Sequence, residues 1–134
     1  MRSRLTAFIA GILITLLDTG ALAAELGVQR NNVSGVTVAV TPQNLSAGAK
    51  TWDFKVVLDA HSGELNDDLV KTATLSDDKG GKHVPIAWEG AGPGGHHREG
   101  TLKFNPVASA PAAIGLRIQR QGEPAARSFR WQLK

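Results

Sequence analysis

Four histidines, His61, His83, His96 and His97, are the side chains best suited to hold a metal ion or move a proton near neutrality. Three carboxylates, Asp59, Glu64 and Asp67, lie within six residues of His61. Imidazole with carboxylate is a donor set for Zn²⁺, Cu²⁺ or Ni²⁺, and the Irving–Williams order favours copper where several are present. There is no cysteine, and the only methionine is Met1. A thiolate zinc site, a blue-copper centre and a soft Cu⁺ site are therefore excluded. The expected metal site comprises His61, His96 and His97, with Asp59, Glu64 or Asp67 as an oxygen ligand or as the acceptor that fixes an imidazole tautomer. The bland alternative is that His61 ends a strand and His96 and His97 belong to a solvated loop.

Other chemistries fare worse. Gly90-Ala91-Gly92-Pro93-Gly94-Gly95 fits G-x-G-x-x-G, but Pro93 interrupts it and a β-prone segment follows, so it does not open a helix on a dinucleotide. Ser62, His61 and Asp59 spell a hydrolytic triad, yet sequence neighbours rarely reach that geometry and no nucleophile elbow surrounds them. Nothing positions an acid against a base. A non-enzymatic role is expected.

The elements that must position these residues follow a period of two. Trp52, Phe54, Val56 and Leu58 alternate with Asp53, Lys55, Val57 and Asp59, the clearest strand of the chain. Six more are expected: Val36 to Val40, Leu69 to Leu75, His83 to Trp88 with Pro85 inside it, Thr101 to Phe104, Ile114 to Ile118, and Phe129 to Leu133. Asn66 could cap a single helical turn before the third. Glycine- and proline-rich turns separate the strands, which predicts an immunoglobulin-like antiparallel β-sandwich of about seven strands. If consecutive strands reverse direction, His61 and His96-His97 fall at one end and His83 at the other. Gly94 and Gly95 would let His96 and His97 turn inward. The expected core is Trp52, Phe54, Val56, Leu58, Leu102, Phe104, Ile114, Leu116, Ile118, Phe129, Trp131 and Leu133.

Within this pattern, Asp59-x-His61-Ser62, then Pro85-x-x-Trp88-x-Gly90, then Gly94-Gly95-His96-His97-Arg98-x-Gly100-x-Leu102-x-Phe104 resembles a family of small exported prokaryotic proteins of no assigned activity. The resemblance covers about half of the chain beyond residue 24. It implies export, a compact β domain and a shared site at His61, His96 and His97, with His83 outside the pattern.

Residues 1–24 read as a cleavable signal peptide, and 25–134 as a single sandwich domain. Arg2 and Arg4 precede an apolar run from Leu5 to Leu17, and Ala21-Leu22-Ala23 supplies an A-x-A cleavage pattern. The run is shorter than the roughly 20 residues a spanning helix needs, so no membrane span is expected after cleavage. Periplasmic or secreted localisation follows. The formal charge of the whole chain is +3, and removing Arg2, Arg4 and Asp18 leaves 13 basic against 11 acidic residues. That balance is too slight for a nucleic-acid binder. A second class of function remains, in which an unknown protein or an anionic envelope component is bound without metal. If the last two strands pair, Arg117 and Arg130 project outward with Gln119, Gln132 and Lys134 as a polar stripe.

Overall fold

The computed structural model describes residues 26–134, and the expected signal peptide lies outside the described residues. Nine strands and one helical turn follow in order: β1 (Gln29–Val33), β2 (Val36–Asn44), β3 (Trp52–Ala60), α1 (Leu69–Thr72), β4 (Ala73–Asp77), β5 (Lys82–His83), β6 (Ala87–Gly90), β7 (His97–Phe104), β8 (Ala113–Ile118) and β9 (Arg127–Gln132). They form two antiparallel sheets, β1-β2-β3-β7-β6 and β5-β4-β8-β9. Among the described residues no helix is long and apolar enough to cross a membrane.

The alternation read from the sequence places the core. On β3, Trp52, Phe54, Val56 and Leu58 are buried, and they pack with Leu102 and Phe104 of β7, Ile114, Leu116 and Ile118 of β8, and Phe129 and Trp131 of β9. Phe54 meets Phe104 edge-on at 5.6 Å and Trp131 at 5.7 Å, so one aromatic cluster ties the two sheets together. Leu133, expected in the core, is only partly buried at its margin.

Four local expectations need correction. β1 is a strand with no apolar alternation, because Gln29, Arg30, Asn31 and Asn32 give it no hydrophobic face. It forms because Ser34 and Gly35, at φ of 52° and 78°, make the left-handed two-residue turn that matches hairpin twist. The expected strand from Leu69 begins instead as a helical turn, α1, before β4. Its cap is Asp68 and not Asn66, with the Asp68 side chain accepting from the Lys71 N–H at 3.3 Å. Finally, His83 to Trp88 is two strands in different sheets: His83 pairs with Leu75 of β4, whereas Trp88 pairs with Leu102 of β7. Pro85, which has no N–H to give a ladder, sits at the crossing between them.

The N-terminal hairpin closes one side of the sandwich through side chains. Trp131 donates to the Gly27 carbonyl at 2.9 Å. The Gln29 side chain accepts from the Arg130 N–H at 2.9 Å and donates to the Arg130 carbonyl. This amide stands in for a neighbouring strand at the free edge of β9.

Candidate functional site

The pairing of β3 with β7 sets Asp59 opposite His97, and the ladder continues past it with Ala60 N–H donating to the His96 carbonyl at 2.8 Å. Leu65 N–H then donates to Gly95 O, and Gly94 N–H to Leu65 O. The segments carrying His61, Glu64, His96 and His97 therefore meet at one end of the sandwich, as strand parity requires. His83 lies toward the other end, its Nε2 at 3.1 Å from Asp77 Oδ2.

The side chains do not converge as the segments do. Gly94 and Gly95 adopt positive φ of 112° and 76°, but the freedom they supply leaves His97 exposed on the outer face of the five-stranded sheet. There its Nδ1 is 2.5 Å from Asp59 Oδ1 and its Nε2 3.4 Å from Glu99 Oε1. The hydrogen bond to Asp59, and then that carboxylate's charge, raise the His97 pKa above 6.5. His61 lies instead over Gly35, where a Cβ would sit 3.7 Å from the imidazole Cδ2, and Glu64 lies beside Gly94. Asp67 is taken up by Arg120, which donates to its two oxygens at 2.9 and 3.0 Å. Among the described residues no group of three or more histidine, aspartate or glutamate side chains is placed to hold a metal ion.

Two buried arginines build this end, and the sequence reading missed both. Arg98 is 2% exposed and donates to the carbonyls of Leu65, Asp67 and Ala91 while lying 5.7 Å over the Trp88 ring. Gly100 has no side chain because Trp88 and Gly90 occupy the space a Cβ would need. Arg127 is 3% exposed and donates to the carbonyls of Asn31, Val33 and Val36 and to both oxygens of Glu123. That bonding holds the Glu123 carboxyl below its ordinary pKa. A signal existed: counting by twos back from Phe104 and from Phe129 turns Arg98 and Arg127 inward.

The four-stranded sheet carries the other candidate. Arg117 pairs with Ser128 and Gly115 with Arg130, so both guanidiniums project from its outer face and both are exposed. Diagonal neighbours of this kind stand roughly 7–8 Å apart. Lys82 of β5 flanks the same face beside Ser76. Among the described residues, no carboxylate lies within ion-pairing distance of Arg117, Arg130 or Lys82. Two members of the expected stripe leave it: Gln119 donates to the carbonyls of Arg120 and Glu123, and Lys134 to that of Ala110. A groove of about 390 Å³ runs over Gly115 between Arg117 and Arg130, and a second of about 220 Å³ lies between Arg117 and Lys82. At the far end of the sandwich, an apolar cleft of about 500 Å³ opens beside Leu45, Trp52, Val107 and Leu133.

Comparison of the chain with family models, with curated proteins and with solved structures finds no match.

Proposed function

We propose that this chain is an exported, non-catalytic binding domain whose four-stranded sheet docks on a densely anionic envelope surface. The observation that carries this reading is that Arg117, Arg130 and Lys82 share one outer face without an acidic partner among the described residues. Arg98, Arg120 and Arg127 are by contrast consumed inside the fold. A cation held at an anionic surface is worth about 1 kcal/mol, so three supply about 3 kcal/mol at modest salt. Export is inferred from residues 1–24.

The test is co-sedimentation with phosphatidylglycerol vesicles, and retention on an immobilised acidic polysaccharide, at rising ionic strength. Replacing both Arg117 and Arg130 by Ala removes about 2 kcal/mol, which is about thirtyfold in affinity. Binding by the parent should vanish at 1 M salt, where charges are screened beyond about 3 Å. Binding that survives both changes would end the reading.

A divalent ion, Cu²⁺ or Zn²⁺, on the five-stranded sheet is the second reading. It is favoured by the Asp59 carboxylate at His97 Nδ1, which would fix the ring tautomer so that Nε2, 3.4 Å from Glu99, could serve as a ligand. Calorimetric titration with each ion should then show saturable binding that is lost in His97→Ala and kept in His83→Ala. No saturable heat, or equal loss in both variants, would remove it.

A further inference from the structure

We infer that the groove over Gly115 is a subsite for a uronic-acid residue of an acidic polysaccharide, an inference that rests on the proposed anion-binding face and names its ligand. Its lining comprises Ser76, Asp78, Gly115, Arg117, Ser128 and Arg130, with Asp77 at its base. The Asp77 carboxylate is already spent on the N–H groups of Lys79 and Gly81 and on His83. Of three features, the first admits an oxyanion and the other two select a sugar over a lipid headgroup or a bare phosphate.

First, the two guanidiniums are planar forks that match a carboxylate with paired hydrogen bonds, and among the described residues no side chain or carbonyl takes up their donors. Second, Ser76 and Ser128 offer hydroxyls that donate to and accept from a polyol, and Asp78 at the rim is a pure acceptor. One Asp78 oxygen is held by the Ala112 N–H at 3.0 Å. A carboxylate there repels a naked anion but accepts from a sugar hydroxyl. Third, the outward residues of β4, β8 and β9, which include Thr74, Ser76, Ala113, Ser128 and Gln132 beside the arginines, offer no aromatic or large aliphatic side chain to enter a bilayer. Gly115 forms a flat floor on which a pyranose ring can lie. The adjoining groove shares Ser76 and Arg117 and leads to Lys82, so the chemistry continues for a second acidic unit.

Gly115 makes the inference separable from the face reading. A Cβ there would meet only Phe129 O at 3.6 Å and Arg130 Cγ at 3.8 Å, both ordinary contacts, so Gly115→Val keeps the strand while its methyls fill the groove. The experiment titrates the full domain with oligogalacturonate, with the neutral parent oligosaccharide and with phosphatidylglycerol vesicles. Saturable oligogalacturonate binding is expected, weakened at least tenfold by Gly115→Val and by Ser128→Glu, with vesicle binding by Gly115→Val within twofold of the parent. Oligogalacturonate binding within twofold of the parent in both variants would overturn the subsite and leave the cationic face standing. Equal binding of the neutral and acidic sugars would overturn the subsite, and binding of oligogalacturonate and vesicles unmoved by the Arg117→Ala, Arg130→Ala pair would overturn both. Vesicle binding without oligogalacturonate binding would assign the face to lipid and overturn the subsite alone. Thermal melting of each variant reports whether it is folded.

Discussion

On the outer face of the five-stranded sheet, Lys55 stands 3.2 Å from Glu99, Lys103 3.3 Å from Asp53 and 3.8 Å from Glu89, and His97 2.5 Å from Asp59. Across the core, Arg117 and Arg130 face Ser128 and Gly115, and no acid answers them among the described residues. Cross-strand pairing of opposite charges stabilises a sheet by only a few tenths of a kcal/mol to about 1 kcal/mol, so the first face gains little stability by neutralising itself. What it loses is an external field. The second face keeps its field at almost no cost to folding, because exposed guanidiniums remain fully hydrated. Stability thus does not explain why the two faces differ, whereas the proposed binding to an anion would.

The largest effect expected from breaking this contrast comes from the arginines that the fold consumes. Arg127→Ala removes the donor to three carbonyls and leaves Glu123 with less compensation, which should cost about 3–5 kcal/mol. The melting temperature of a domain this size should fall by roughly 15–25 °C. Arg117→Ala should leave it within about 0.5 kcal/mol of the parent. Equal losses from the two changes would mean that Arg117 too is structural.

Next in size is Gly100→Ala. A Cβ there collides with Trp88 and with Gly90 across the β6–β7 pair, disturbing the ring that Arg98 covers. Overpacking of this kind costs about 1–3 kcal/mol by denaturant unfolding. A neutral result would show that Trp88 moves freely and that the Arg98 stack is incidental.

A smaller effect concerns pH. Because Asp59 raises the His97 pKa, the charged imidazole is bound more favourably in the folded state than in the unfolded one. That contribution is fully present below about pH 6.5 and is lost as pH rises through the folded pKa. The NMR titration of His97 should move down toward 6.5 in Asp59→Asn and stay put in Arg117→Ala. Smallest of all, Lys55→Ala should change stability by no more than about 1 kcal/mol and leave anion binding untouched, since its charge is already met by Glu99.

Alternation made most of this architecture legible. The inward residues of β3, β7, β8 and β9 were evident because one face is apolar and the other polar. Strands set by something else were hidden. β1 depends on a positive-φ turn at Ser34 and Gly35 and on side-chain bonds to β9, none of which hydrophobicity reports. The β5–β6 crossing depends on which sheet each half finds, and Pro85 signals only the break. For the candidate sites, chain parity brought the His61 and His96 segments together correctly, but it carries no information on rotamers. His97 therefore pairs with Asp59 while His61 turns over Gly35. The Arg117 and Arg130 face was legible as alternation on two paired strands. Its groove was not, because Ser76 and Lys82 come from β4 and β5, whose place beside β8 follows from the sheet order alone.

If anions meet the four-stranded face, the amides that respond to a ligand must lie on it. Amide shift mapping of the isotope-labelled domain, titrated with oligogalacturonate at low salt, tests this most directly. Saturable shifts should cluster at Thr74 to Ser76, Gly115 to Arg117 and Ser128 to Arg130, and be abolished at 1 M salt. Shifts centred on β3 and β7 around Lys55 and Lys103, or none at millimolar ligand, would contradict it.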